Sequence, residues 1–446
     1  MASYKKPQRA LKIVHQSGKK NKNNLAQNKI GILIFSDYNC STGFGIVGTK
    51  LIEELQKDDR YIIVIHAVND FSEAPYNVGE NTKVFPAHLN DKNDYFGRIE
   101  FLRRLFDIDW DLCFVLNDVE IIHQLMPHIN IVKKEKLKQN RKLFKLACYF
   151  PIDSPVLPEV VQHFHDIDMP ITYTEYAKTM IENLNPKIEG KIKILSHGVD
   201  SAKIFPVDKT ETHKIKKEIF GDIDDDVFIF GTVNRNQVRK DMGCILIAFY
   251  LLKNTLEDSQ KVVLYMHCNP LDSKGFNMLV ACERLGLKVG KDVFFQKGFN
   301  ENNGVSIEEL NLIYNIMDVF VTTTTAEGWG LTVTEAMATK TPIICPLHTS
   351  LTEITQQGKL VEAIYVDHCA IFLGDFENIR NISNPNHVSA AMRNLMNTLI
   401  LKQERPERFK ILEERTEAAY NFAVGLQWSN ITKAFKHTLD KLINRN

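Results

Sequence analysis

Between two short apolar strands, Val319-Phe320-Val321 and Pro342-Ile343-Ile344-Cys345, runs the stretch Thr325-Ala326-Glu327-Gly328-Trp329-Gly330-Leu331-Thr332-Val333-Thr334-Glu335-Ala336-Met337-Ala338. Its pattern changes period at Leu331, where a helix begins, and the two glycines ahead of that point permit a tight turn. A strand, a glycine turn and a helix N-terminus make an anion site, because unpaired N–H groups and the helix dipole point outward. Gly330 lets a phosphate come close to the backbone, and Leu331 and Thr332 supply N–H groups. Glu327 falls in the loop, and Glu335 about two turns further on, on the helix. Two carboxylates would repel a phosphate itself. They are better suited to holding hydroxyls of a sugar or ribose attached to it. The plain structural alternative is a helix whose acidic start complements its dipole.

Glu-x7-Glu inside E-G-x-G-L-x-x-x-E-A-M-A resembles the donor-site signature of retaining glycosyltransferases of family 4 (glycosyl transferases group 1). The resemblance implies an α/β chain of GT-B fold, two Rossmann-like doubly wound domains facing each other across a cleft. It further implies that Glu327 holds hydroxyls of the donor sugar and Glu335 the ribose. The signature itself covers only the C-terminal half.

A chain of 446 residues exceeds one core and predicts two domains or three. Formal net charge is zero, so no global attraction to nucleic acid is expected. Eight cysteines are scattered without a Cys-x-x-Cys, and several lie in apolar runs, which favours reduced thiols over disulfides or zinc. No run reaches the roughly 18 apolar residues of a membrane span, and the N-terminus lacks the apolar core of a signal peptide. The expected location is the cytoplasm, with an anionic membrane surface as a candidate peripheral partner.

Four segments are expected: a flexible basic arm over 1–28, an acceptor domain over 29–206, a nucleotide-sugar domain over 207–424, and a helix over 425–446 returning to the first domain. The arm carries Lys5, Lys6, Arg9, Lys12, Lys19, Lys20 and Lys22 and no acid. It reads as a solvated tail or as a contact for phosphorylated partners or lipid. The first domain opens with the strand Ile30–Phe35, a loop containing Gly43 and Gly45, and a helix from about Ile46 to Gln56. By the resemblance, that loop faces the donor phosphate and the acceptor; otherwise it is a structural turn. Strand-like runs follow at Tyr61–Ile65, Leu112–Leu116, Phe144–Phe150 and Ile171–Tyr173. The basic stretch Lys133 to Lys145 is a solvated helix face or a lipid-docking face. Pro151 and Pro155 bracket Asp153 in a stiff loop, where many relatives carry a histidine touching the donor sugar. Asp153 is accordingly a sugar contact, a base for the acceptor hydroxyl, or a loop cap.

The second domain opens with Val227–Val233 and runs into Asn234-Arg235-Asn236-Gln237-Val238-Arg239-Lys240-Asp241. A strand delivering cations into a loop before a helix suits a diphosphate. The segment resembles the family's G-R-x-x-x-x-K-G, with Arg235 and Lys240 at the cationic positions and Asn234 and Asp241 where glycines stand. Arg239 is an additional cation. Phe299, the last residue of the strand run Val293–Phe299, is a candidate to pack on the base. His348 to Ile354 resembles the family's G-x-x-E turn, and Trp428-Ser429 its closing segment.

The reaction this implies is transfer of a hexose, with retention, from a nucleoside diphosphate sugar (UDP- or GDP-linked) to a hydroxyl of a glycan, protein-linked glycan, lipid or small molecule. Glu327, Asp153, Arg235 and Lys240 would carry the chemistry, and domain closure would bring Gly43 and Asp153 to the donor. No metal and no further cofactor are expected, since the cations already neutralise phosphate. None of Asp107-x-Asp109, Asp166-x-Asp168 and Asp222-x-Asp224 follows a clear buried strand. A phosphorylase is disfavoured because no pyridoxal-lysine motif is evident. The remaining alternative is a non-catalytic sugar-nucleotide-binding or scaffold protein of the same fold.

Overall fold

The computed structural model describes residues 29–40, 42–89, 94–224, 226–257, 261–296, 304–366, 368–372 and 378–444; the basic arm expected over 1–28 and Phe299 lie outside them. By its contacts the chain divides into two units. One comprises Met1–Ile152, Val156–Leu195 and Ser429–Asn446, the other Asp153–Pro155 and Ser196–Trp428.

The first unit holds strands β1 (Ile30–Asp37), β2 (Tyr61–Val68), β3 (Tyr76–Asn77), β4 (Thr82–Pro86), β5 (Leu112–Leu116), β6 (Lys145–Phe150), β7 (Met169–Thr172) and β8 (Lys193–Ile194). They form one sheet in the order β3-β4-β2-β1-β5-β6-β7-β8, parallel except for the edge strand β3. The central strands read as unbroken apolar runs because helices cover both faces of a parallel sheet, and β1 and β5 are buried almost end to end. Helix Gly43–Gln56 starts three residues earlier than its apolar pattern suggests. Thr42 caps it by accepting from Gly45 N at 3.0 Å, so Gly43 and Gly45 form the first helical turn and not a free loop. A Cβ on Gly45 would lie 2.3 Å from the Cys40 carbonyl oxygen, which explains the glycine sterically.

The basic stretch is largely neutralised within this unit. It forms the end of helix Val119–Lys138 and the turn after it. Lys136 and Arg141 both bind Asp109 (2.8 and 2.7 Å), Lys142 binds Asp111, and Lys133 reaches Asp168 at 3.3 Å. Two of the Asp-x-Asp pairs thereby supply counter-ions to lysine and arginine. The last helix, Trp428–Ile443, packs on this unit from Ser429 onward. Phe435 meets Phe114 with ring centroids 5.0 Å apart, and Lys436 bridges Asp58 (2.8 Å) and Asp440 (2.9 Å).

The second unit is a six-stranded parallel sheet, with β9 (Phe228–Val233), β10 (Val262–His267), β11 (Val293–Phe295), β12 (Val319–Val321), β13 (Ile343–Leu347) and β14 (Glu362–Tyr365) in the order β11-β10-β9-β12-β13-β14. An antiparallel hairpin, β15 (His368–Ile371) with β16 (Ile379–Ile382), stands outside that sheet and has no counterpart in the sequence reading. The unit begins at Ser196, ahead of the boundary expected at Pro206. Two side chains of the helix Ile307–Asn315 hold that approach segment: Asn311 and Asn315 accept from Phe205 N and Val207 N, each at 2.9 Å.

Strand order reverses at β9, which has β10 on one side and β12 on the other. In an open parallel sheet, ligands bind at the carboxyl ends of the strands flanking such a switch point. The loops leaving β9 and β12 are Asn234–Asp241 and Thr322–Gly330. Both carry the residues singled out from the sequence.

Candidate functional site

Buried threonines splice these two loops together. Thr323 donates its hydroxyl to the Asp241 carbonyl (2.8 Å), and Thr325 donates both its N–H (2.8 Å) and its hydroxyl (2.9 Å) to the Arg239 carbonyl. Thr324 closes its own turn on the Ala326 carbonyl at 3.0 Å. A carbonyl held by two donors cannot drift, so Arg239 and Lys240 leave the backbone from a fixed position. Asp241 takes a left-handed conformation (φ 44°, ψ 47°) where the family pattern has glycine. Aspartate tolerates that region better than most residues, and here its carboxylate also accepts from Cys244 N at 3.4 Å, capping helix Met242–Lys253.

A third segment, His348–Ser350, braces the loop after β12. Ser350 donates to the carbonyls of Glu327 (2.7 Å) and Trp329 (3.1 Å), and Glu327 N donates to Thr349 Oγ1 at 3.2 Å. His348 Nε2 lies 2.8 Å from the Thr324 carbonyl and must donate to it. Nδ1 lies 3.2 Å from the Thr349 hydroxyl. Burial holds the His348 pKa below its ordinary value, which favours the neutral imidazole. Thr349 has φ 45°, an unfavourable conformation for a β-branched residue, and is held there by these bonds.

Glu327, thus fixed at both its N–H and its carbonyl, places its carboxylate between two cations. Lys240 Nζ binds Oε1, and Arg239 Nη1 lies 3.3 Å from Oε2 while donating to the Ala326 carbonyl at 2.5 Å. Burial alone would raise the Glu327 pKa; attraction by Lys240 and Arg239 overrides it and holds the carboxyl at about 2. Burial lowers the Lys240 pKa, with Glu327 opposing. Asp153, which by its contacts belongs to this unit, accepts from Arg380 Nη1 at 2.9 Å and lies 3.7 Å from Arg239 Nε.

Gly330 (φ 104°, ψ 59°) opens helix Leu331–Ala338, and no side chain caps its first turn. Leu331 and Thr332 on that turn are only half-buried, and their N–H groups are at positions a helix leaves open. Glu335, on the same helix, accepts from the Tyr314 hydroxyl at 2.7 Å. Burial pushes its pKa up to about 7, and the Tyr314 hydrogen bond opposes that rise.

Arg235 is not part of this cluster. It makes a two-pronged contact to the buried Asp272 carboxylate (2.6 and 3.3 Å), and its neighbour Asn236 donates to the Phe276 carbonyl at 2.8 Å. The arginine beside Lys240 and Glu327 is Arg239. Spacing assigns that place to Arg235; the turn Val238–Lys240 decides otherwise by rotating residue 239 toward the loop after β12. Sequence reasoning misses the threonine run, Asp272, Tyr314 and Arg380 as contributors, and marks His348 only as the start of a family-like turn. Only the threonines offer a signal, four consecutive hydroxyls at the end of a buried strand.

Residues 217–370 match the family Glycosyl transferases group 1. This segment is a glycosyltransferase domain. A curated relative, alpha-monoglucosyldiacylglycerol synthase of Streptococcus pneumoniae (strain ATCC BAA-255 / R6), is 24% identical over 210 residues, 46% of this chain. The match spans 43% of that relative's length, less than half. Among solved structures, sucrose-phosphate synthase from Thermosynechococcus elongatus superposes with a TM-score of 0.66 at 14% identity, covering 94% of this chain and 100% of its own. The Anabaena protein HepE in complex with UDP and glucose gives 0.60 at 13% identity, covering 92% and 100%. The fold is GT-B.

Proposed function

We propose that the chain is a retaining glycosyltransferase that moves a hexose from a nucleoside diphosphate sugar to an acceptor hydroxyl. The observation that carries this reading is the ordered pair Arg239 and Lys240, fixed on Glu327 at the sheet's switch point beside an uncapped helix start. Two oriented cations and a positive helix end suit the charge that grows on a departing diphosphate. Glu327 aims the cations, and its remaining lone pairs are available to donor hydroxyls. Glu335 would take the ribose diol. Acceptor and leaving group on one face of the sugar need no covalent carboxylate intermediate. Lys240 and Arg239 supply positive charge themselves, so turnover is expected to survive chelation by EDTA.

UDP-glucose is the first donor to try, since the structurally similar HepE was solved with UDP and glucose. The curated relative's name points to a lipid acceptor, which is in keeping with peripheral work at a membrane face. Among the described residues no helix is long and apolar enough to cross a membrane. The eight cysteines are free, which supports a reducing, cytoplasmic setting.

A thermal-shift screen with UDP, GDP and ADP and their common sugars tests the reading. One nucleotide series should raise Tm, by about 2.7 kcal/mol of stabilisation at a hundred times Kd. Arg239→Gln should abolish most of that shift and Arg235→Gln should retain it. No shift with any series would remove the transferase reading.

Glu335 adds a pH dependence. With its pKa raised to about 7, it is the ionised hydrogen-bond acceptor only above neutrality. Nucleotide affinity is therefore expected to rise as pH increases from 6 to 8. Tyr314→Phe deletes the hydrogen bond that lowers this pKa, so the midpoint should move to higher pH. Calorimetric titration across the range reads both; a flat profile would separate Glu335 from the nucleotide.

A further inference from the structure

The hairpin β15–β16 delivers a buried arginine to the site from outside the sheet. Arg380 on β16 has a side chain only 4% exposed, and its guanidinium binds Asp153 Oδ1 at 2.9 Å. The other Asp153 oxygen is the one near Arg239 Nε, at 3.7 Å. Two further contacts dock the hairpin at this place: Asn381 N donates to the Thr325 carbonyl at 3.1 Å, and Ser154 Oγ donates to Asn378 Oδ1 at 2.9 Å. Thr325 is the residue whose N–H and hydroxyl hold the Arg239 carbonyl. The hairpin is thus attached to the Arg239 loop at its backbone through Thr325 and at its side chain through Asp153.

Arg239 stands between two carboxylates, Glu327 at 3.3 Å and Asp153 at 3.7 Å. Which one it favours depends on how strongly each is neutralised by its other cation. Lys240 does this for Glu327 and Arg380 for Asp153. Without Arg380, Asp153 becomes a carboxylate with one partner fewer, draws Arg239 toward itself, and adds an uncompensated negative charge beside any bound phosphate.

We infer that Arg380 is a positioning residue of the diphosphate site: by neutralising Asp153 it lets Arg239 hold the diphosphate, with Asp153 as the counter-ion that tunes the site's charge. This deepens the proposed function and rests on its placement of a diphosphate at Arg239 and Lys240.

The test is a charge cycle with inorganic pyrophosphate as the probe, followed by calorimetry on wild type, Arg380→Met, Asp153→Asn and the double variant, with UDP-glucose and the other nucleoside diphosphate sugars in parallel. A unit charge several ångströms away at a partly buried site is worth about a tenfold change in affinity. Arg380→Met is expected to bind pyrophosphate about tenfold more weakly and Asp153→Asn more tightly than wild type. The double variant should return to within about threefold of wild type, because removing the carboxylate removes the need for its partner. A hairpin that merely braced the fold would show no such recovery. Weaker binding by Asp153→Asn, a double variant no better than Arg380→Met, or no pyrophosphate binding by wild type overturns the inference. Should Arg380→Met not fold, the sign of the Asp153→Asn change still decides. The full cycle with pyrophosphate and no binding of any nucleotide sugar would sustain the inference while removing the transferase reading.

Discussion

Lys240→Met is expected to reduce turnover of a nucleoside diphosphate sugar by about 10²–10³-fold, the scale for removing one preorganised charge from a developing anion. Lys240 is mostly buried, and its partner Glu327 is held by Arg239, Thr349 and Ser350. The position of the charge is therefore fixed before any ligand arrives. Arginine at this position should recover little, because its planar fork does not fit a site built for a compact ammonium. Turnover within tenfold of wild type would remove Lys240 from leaving-group stabilisation.

The same substitution has a stability signature with a definite sign. The Glu327 pKa is depressed from 4.5 to about 2, so its contribution is present above 4.5 and is lost as pH falls toward 2. That shift is worth about 3 kcal/mol. Lys240→Met removes much of the attraction that depresses it, so the variant should be less stable at pH 7. The gap between variant and wild type should narrow in urea melts taken from pH 5 down to pH 3. A gap that stays constant with pH would show that the pair is not electrostatically coupled.

Gly330→Val is expected to destabilise the second unit by about 3 kcal/mol and to remove nucleotide binding in the fraction that remains folded. The backbone at Gly330 has φ 104°, outside what a β-branched residue adopts. A Cβ there would also lie 3.0 Å from Leu351 Cδ2 and 3.3 Å from Ile354 Cδ1. Both neighbours sit on the short helix behind the turn, at 0% and 1% exposure, and cannot easily move away. If the chain relieves the strain by rotating the backbone at this position, the N–H groups of Leu331 and Thr332 turn with it. Gly330→Ala carries the same backbone strain with fewer branching atoms and should show a smaller version of both effects. Thermal melts with and without UDP read the two effects separately. Wild-type stability and nucleotide affinity in the Gly330→Val chain would remove the turn from the anion site.

The amino-acid sequence alone determined the architecture. Parallel strands covered on both faces must be apolar along their length, so β1, β5, β9 and β12 stood out within a residue or two of their observed ends. The change of period at Leu331 located the start of the helix in the same way, because burial on one face of a helix imposes its own spacing. Glu327 and Lys240 were legible as well, each tied by the chain to an element whose pattern is local. What the tertiary structure alone decided is which charge meets which. Arg239 and not Arg235 joins Glu327, although the two arginines are only four residues apart and chemically identical. Arg380 binds Asp153 across 227 residues of chain. Gly43 and Gly45 begin a helix because Thr42 caps them, and Asp241 adopts the conformation of a glycine because Cys244 N and Thr323 hold it. An apolar period is repeated many times along a segment and averages over errors. An ion pair or a cap is a single contact between side chains that face several possible partners, and only the packed backbone fixes the distances that select one of them.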